Sequence, residues 1–251
     1  MVTLQELSLY LNELLQILKV NDYCKNGVQV EGTPKISKIA TAVSANLETI
    51  EKAVAMKADA LIVHHGLFWN SDPHEITGVK KKKLALLLKH DISLLAYHLA
   101  LDAHKEVGNN WRAAIEMGWT DLEPFGNMNG TYIGVRGKIG KLPVEAFQKI
   151  LEKYYGQKAH VALFGKKMVE TAALISGGAY RSVQEAAVLG IDCFITGNFD
   201  EPAWNIAMEE KINFFALGHT ATEKIGPRAL AELLQQHFLI DATFIDTDNP
   251  F

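Results

Sequence analysis

Ile39-Ala40-Thr41-Ala42-Val43-Ser44, then Ala58-Asp59-Ala60-Leu61-Ile62-Val63-His64: two apolar runs, each too short for a buried helix, are joined by a segment of helical length. Runs of this size that are apolar on both faces read as inner strands of a parallel sheet, with the connecting helix packed over it. Working outward, Ile36 to Val43 is a strand, Leu47 to Met56 a helix and Ala60 to Val63 a buried strand. A helix near Lys80 to Lys89, a strand Ser93 to Tyr97 and a helix near Asn110 to Met117 continue the alternation. Before them, Leu4, Leu7, Leu11, Leu14 and Leu18 recur at steps of three and four, which predicts an amphipathic helix over Val2 to Val20. Thr3 and Glu6 are spaced as its N-terminal capping box. Asn26-Gly27 turns the chain into the extended piece Val28-Gln29-Val30.

The pattern then changes and returns. Thr131 to Ile139 alternates as a more exposed strand, Val144 to Tyr154 is helical and Val161 to Phe164 extended. After Val169 come a strand Ala172 to Ile175, a helix Ser182 to Leu189, a strand Cys193 to Ile195 and a helix Glu201 to Glu210. A strand Phe214 to Leu217, a helix Ala229 to Phe238 and a strand Thr243 to Ile245 follow. Such alternation defines an α/β protein with mainly parallel sheets.

Internal similarity points to two related lobes. Ala58 to His64 can be laid against Gly190-Ile191-Asp192-Cys193-Phe194-Ile195-Thr196, and Asp91 to His98 against Lys211 to His219. The expected organisation is one chain with pseudo-repeat lobes over about 1–124 and 168–251, joined by a connecting β-α-β segment over 125–167.

The chain has 251 residues, is 48% hydrophobic and carries a net charge of -4, enough for a large core and with no basic field for nucleic acid. The run Lys80-Lys81-Lys82-Lys83 reads as a solvated helix face. Cys24 and Cys193, the two cysteines, have no CxxC spacing, and no apolar stretch is long enough to span a bilayer. A cytoplasmic location is expected.

Three of the inner strands run into metal-capable side chains. Val63 leads to His64-His65-Gly66, Tyr97 to His98 with Asp102 beyond, and Leu217 to Gly218-His219 with Glu223 four residues on. Ligands collect beyond the carboxyl ends of such strands. Imidazoles with carboxylates suit zinc, iron or manganese. Adjacent histidines on an extended chain point to opposite sides, which suits one ion each better than a shared ion. His219 and Glu223, one helical turn apart, face the same way. Each residue also has a plainer reading. A strand-end histidine can be a satisfied polar group, Glu223 can close a capping box with Thr220, and Asp102 can be a helix N-cap. Ser176-Gly177-Gly178 could cradle a phosphate or form a tight turn. His74, His90, His104, His160 and His237 read as core or surface residues.

The motifs Asn26-Gly27-Val28-Gln29-Val30-Glu31-Gly32, Val63-His64-His65-Gly66, Tyr97-His98-Leu99-Ala100-Leu101-Asp102 and Gly218-His219-Thr220-Ala221-Thr222-Glu223 resemble the Nif-three-like family, the GTP cyclohydrolase I type 2 homologues. So does the stretch Thr243 to Asp246 with Asn249-Pro250. The resemblance implies a Nif-three-like fold whose metal site lies between the lobes. It implies two divalent ions per subunit, iron, zinc or manganese, on His64, His65, Asp102, His219 and Glu223, with Glu223 bridging. It also implies a homohexamer and a metal-dependent hydrolase acting on a nucleotide-like small molecule. His98 then stands as a pocket residue and proton shuttle. Many relatives carry an acid after the position of Gly197, where this chain has Asn198. The second reading is a non-catalytic metal-binding chaperone or regulatory scaffold.

Overall fold

The computed structural model describes residues 1–128 and 130–251. Along the chain it has β1 (Val2–Thr3), α1 (Leu4–Leu14), β2 (Gly27–Val30), β3 (Lys35–Ile36), β4 (Lys38–Ser44), α2 (Leu47–Ala55), β5 (Ala60–His65), α3 (Gly78–Lys89), β6 (Ser93–Ala96) and α4 (Leu99–Asp102). Next come α5 (Asn109–Glu116), β7 (Thr120–Met128), β8 (Thr131–Pro143), α6 (Val144–Tyr155), β9 (His160–Leu163), β10 (Met168–Leu174), α7 (Val183–Val188), β11 (Cys193–Thr196), α8 (Glu201–Glu210), β12 (Asn213–Ala216) and α9 (His219–Glu223). The chain closes with α10 (Ile225–Phe238) and β13 (Asp241–Phe244). Among the described residues no helix is long and apolar enough to cross a membrane.

Two compact units emerge: Met1–Val107 with Gly226–Asp248, and Gly108–Ile225 with Asn249–Phe251. The first is built on a five-stranded sheet of order β13-β4-β5-β6-β2, parallel except for the edge strand β2. Its strands alternate their side chains between two faces, as the pleat requires. Ile39, Ala60, Ile62, Leu95 and Tyr97 meet Leu4, Leu7 and Leu11 of α1 and Leu230 and Leu234 of α10. Ala40, Ala42, Leu61, Val63, Leu94 and Ala96 meet Ile50 and Ala53 of α2 and Leu84 and Leu87 of α3. With both faces covered, the strands must be apolar throughout, which is why they read as unbroken runs.

The second unit carries a six-stranded sheet of order β7-β8-β10-β11-β12-β9. Its centre, β10-β11-β12, is parallel, and β7, β8 and β9 pair antiparallel around it. The sheet is therefore mixed. Ala172, Leu174, Cys193, Ile195, Phe215 and Leu217 pack with Trp111 and Ala114 of α5 and Phe147 and Leu151 of α6.

The unit boundaries differ from the expected lobes. Residues 226–248 belong to the first unit because β13 extends the first sheet beside β4 and Thr41 Oγ1 donates to the Pro227 carbonyl at 2.7 Å. The stretch 125–167 is no connector: β8 pairs with β10, and α6 and β9 have counterparts in α1 and β2. Each unit runs helix, antiparallel edge strand, then three parallel strands with two crossover helices and a short final helix.

Polar contacts fix the register of this repeat. Asp59 Oδ2 accepts from the amides of Ser37 and Lys38 at 2.7 and 2.9 Å. Asp192 Oδ2 accepts from those of Glu170 and Thr171 at 2.8 and 3.1 Å. Ser93 Oγ takes the Gly32 amide and Asn213 Oδ1 the Gly165 amide, both at 3.0 Å. Asp59 thus corresponds to Asp192, one residue from the alignment expected on apolar pattern alone. That shift places His64 opposite Gly197 and His65 opposite Asn198.

The Thr3–Glu6 capping box forms, with Glu6 N to Thr3 Oγ1 at 3.1 Å and Thr3 N to Glu6 Oε2 at 2.9 Å. The helix stops sooner than its leucine spacing predicts. Gln16 adopts φ 49°, which ends the helical path, and Leu18 is 98% exposed.

Asp192 is buried, which raises its pKa. The Lys166 ammonium at 2.7 Å and the two strand amides more than offset this, so the carboxyl is held below its ordinary 3.8. A depressed acid stabilises the fold above its unfolded pKa and loses that contribution as the pH falls through the folded one. Asp192→Ala strands two strand amides and should cost about 1–3 kcal/mol in urea denaturation near neutral pH, with Asp59→Ala costing a similar amount. For Asp192→Ala the gap from wild type should narrow below about pH 4; a gap that holds constant with pH would refute the assignment.

Candidate metal centre

In a parallel array every strand delivers its carboxyl end to the same edge of the sheet, and the side chains that follow gather there. In the first unit these are His64 and His65 at the end of β5, with His98 and Asp102 at the two ends of α4. One nitrogen from each of His64, His65 and His98 lies within 4.8 Å of the other two. Their ring centroids are 4.7, 4.9 and 5.6 Å apart. The last register pair of β5 with β6 is Val63 with Ala96, so His64 and His65 lie beyond that ladder and their rings lie close together despite their extended backbone.

Hydrogen bonding settles which nitrogen faces the cluster. His64, fully buried, has Nδ1 3.1 Å from the Tyr97 carbonyl oxygen. A carbonyl only accepts, so Nδ1 carries the proton and, in the neutral ring, Nε2 presents its lone pair. That Nε2 lies 3.6 Å from Asp102 Oδ2. A cation or a proton between two acceptors that face each other across this gap relieves their repulsion. His65 Nδ1 is 2.9 Å from Ser44 Oγ.

His98 is held most firmly. Its Nδ1 lies 2.9 Å from Asp22 Oδ1, and that carboxylate also accepts from the amides of Cys24 at 3.0 Å and Leu99 at 2.8 Å and from the Asn26 side chain at 3.0 Å. Burial pushes the Asp22 pKa up, but the His98 hydrogen bond and charge, with the Cys24 and Asn26 donors, bring it down to about 2. Ionised Asp22 fixes the His98 tautomer with Nε2 toward the cluster, the support that metal-binding histidines commonly have. Nearby, burial pushes the Cys24 thiol up to about 11, so without a metal it is a neutral thiol at neutral pH.

In the second unit His219 and Glu223 lie on one face of α9, with Nε2 and Oε1 3.1 Å apart. Asn198 Oδ1, following β11, lies 3.0 Å from His219 Nδ1 and orients the ring. With that oxygen accepting, His219 Nε2 meets Glu223 Oε1 acceptor to acceptor, the same relation as His64 with Asp102. Thus Asn198 serves as the ring's orienting partner. The helix N-cap here is Gly218, and Glu223 is the last residue, so the capping-box reading of Glu223 fails. Asp102 likewise ends α4 rather than capping its start.

Glycine shapes this second cluster. Gly177, at φ +66°, passes so close that an added Cβ would lie 2.2 Å from Glu223 Oε1 and 3.2 Å from His219 Nε2. At Gly197 a Cβ would lie 2.6 Å from the His219 Cα. The Gly177 amide donates to Thr222 Oγ1 at 3.0 Å, and its carbonyl accepts from Gly197 and Asn198 at 2.9 and 3.0 Å. Ser176-Gly177-Gly178 is therefore a tight turn against Glu223, not a phosphate cradle.

His98, expected as a pocket residue, is brought by the fold among the metal-capable imidazoles. No sequence pattern marks Asp22, Ser44 or the orienting role of Asn198, because each meets its histidine across 21 to 76 residues of chain.

An α/β protein built on a twice-used strand–helix unit, with imidazoles turned by hydrogen bonds toward carboxylates, defines the class. The chain belongs to the Duf34/NIF3 (NGG1p interacting factor 3) family, whose profile matches residues 2–250. It is 53% identical over 245 residues to a GTP cyclohydrolase 1 type 2 homolog of Chlamydia pneumoniae, covering 96% of this chain and 97% of that one. A Yersinia pestis homolog of the same name is 40% identical over 98% of both chains. Among solved structures, protein ybgI, described as of unknown function, superposes with a TM-score of 0.94 at 37% identity over the full length of both chains. TTHA1606 from Thermus thermophilus gives 0.92 at 33% identity, again over both full lengths.

Two substitutions probe the supports rather than the imidazoles. Gly177→Ala pushes a methyl into the Glu223 carboxylate, and Asp22→Asn removes the charge that orients His98. Gly177→Ala is expected to weaken metal affinity about 10- to 100-fold in competition with a chelator, and Asp22→Asn to leave metal affinity near wild type while lowering any turnover, with circular dichroism native in both. Wild-type affinity in Gly177→Ala would show that this contact does not bear on metal.

Proposed function

We propose that this chain is a dinuclear metal-dependent hydrolase of the GTP cyclohydrolase 1 type 2 kind, acting on a nucleotide-like small molecule. Two divalent cations, iron, zinc or manganese, are held by His64, His65, Asp102, His219 and Glu223. The observation that carries the reading is the pairing of lone-pair nitrogens with carboxylate oxygens: His64 Nε2 with Asp102 at 3.6 Å and His219 Nε2 with Glu223 at 3.1 Å. Acceptors that face one another call for positive charge, and the mixed nitrogen and oxygen donor set suits these metals.

When bound, such a pair of ions supplies a water of lowered pKa, toward ~7, and counter-charge for a developing oxyanion. The chain's own residues provide orientation. The Tyr97 carbonyl and Asn198 fix the rings of His64 and His219, and Gly177 leaves room for the Glu223 carboxylate. His98 keeps its Nδ1 proton on Asp22, leaving Nε2 to take or give a proton at the cluster. The substrate class draws on the name of the relatives, GTP cyclohydrolase 1 type 2 homolog. The same reading carries a cytoplasmic homohexamer, which light scattering on the purified protein checks.

Elemental analysis of protein purified without chelator or affinity-tag metal should give two ions per chain, falling on Asp102→Ala or Glu223→Gln. Loaded with iron, manganese or zinc, the protein should release formate from GTP. Metal uptake without turnover would favour a metal-binding scaffold. A chain that takes up only traces of metal would end the proposal.

A further inference from the structure

Beside the histidine cluster of the first unit stand two aromatic rings that the metal reading does not use. Trp69 lies 5.1 Å from His98 and 5.9 Å from His65, ring centre to ring centre. Tyr23 lies 5.0 Å from His98 and 5.7 Å from Trp69. The Tyr23 and Trp69 planes are inclined by only 32° to each other, while both meet His98 nearly edge-on, at 72° and 76°.

Both rings are mounted rigidly. The Trp69 indole N–H donates to the Gly66 carbonyl at 3.1 Å. The loop carrying Tyr23 is joined to the segment carrying Trp69 by the bridge of Cys24 with Trp69. The Lys25 amide also donates to Phe68 at 3.2 Å and the Asn70 amide to Tyr23 at 2.9 Å. Next to Tyr23, Asp22 ties the same loop to the start of α4 through His98 and Leu99. Yet Tyr23 remains 47% exposed. A large aromatic ring held this firmly and still open to solvent adds little to a core. It offers a flat face at fixed distance from polar ring nitrogens.

We propose that the exposed Tyr23 ring, packed against Trp69, is the stacking floor for a planar heteroaromatic ring of the purine-nucleoside class, with the edge of that ring toward His65 and His98. A solvent-open aromatic face favours a flat ring over an aliphatic chain, since stacking needs an extended π face. Imidazole nitrogens along one border give such a ring polar partners at its rim, the usual mix of apolar wall and few polar groups in a ligand site. This inference rests on the hydrolase reading for its substrate and deepens it by naming where the ring binds.

Guanosine is the probe, because without phosphate its binding does not depend on metal–phosphate contact. Titrated into metal-loaded full-length protein by calorimetry, it should bind saturably, whereas ribose should not. Tyr23→Ala should weaken guanosine binding about 5- to 100-fold, the scale of one lost base–aromatic stack, and Tyr23→Phe should keep it. Because Tyr23 is exposed and binds no metal, metal content should be the same in all three proteins. Guanosine affinity unchanged in Tyr23→Ala, or no binding by wild-type protein, would overturn the stacking floor while leaving the metal centre intact. Absence of metal from the wild type would instead count against the hydrolase reading.

Discussion

Parallel strands share a direction, and everything chemical in this protein follows from that constraint. Because β4, β5 and β6 all end at one edge of their sheet, Ser44, His65 and His98 reach a common place although they are far apart in sequence. The same holds for Gly177, Asn198 and His219 beyond β10, β11 and β12. The sheets can stay parallel only because helices cover them, and that burial is what makes a misplaced polar group costly. Imidazoles at these strand ends must therefore have defined partners, and each of those described does.

Those partners turn flexible rings into oriented donors. A histidine offers two nitrogens, and which of them is available depends on what the other one binds. The Tyr97 carbonyl, the Asp22 carboxylate and the Asn198 amide occupy Nδ1 of His64, His98 and His219. Ser44 does the same for His65 with a weaker, two-way partner. Nε2 is consequently the nitrogen that each of these rings leaves to other partners.

What could be read in advance was whatever depends on local pattern. The apolar runs of β4, β5, β6, β11 and β12 announced buried strands, and the polar residues directly after them announced a site. The first helix was overextended because Leu14 and Leu18 keep the helical spacing, while the left-handed turn at Gln16 carries no periodic signal. The four-residue α4 is too short to show periodicity, and β7 contains Pro124 and Gly126, which weaken a strand pattern. The roles of Asp22 and Asn198 were illegible for a different reason. They are contacts across 76 and 21 residues of chain, created only when the fold closes. The repeat was visible, but its register needed Asp59 and Asp192, since apolar strands slide past one another without penalty in a sequence alignment.

The two copies of the repeat are unequal in one connection. Between β5 and β6 the chain runs through residues 66–92, whereas between β11 and β12 it needs only residues 197–212. The longer crossover carries Phe68 and Trp69, and the shorter has Phe199 packed inward on Phe214. A duplicated scaffold gives its owner a spare: one half can keep the economical connection that suffices for folding, leaving the other free to lengthen the same loop without disturbing the sheet. Divergence between twin halves, not novelty of architecture, is where this protein would acquire its selectivity.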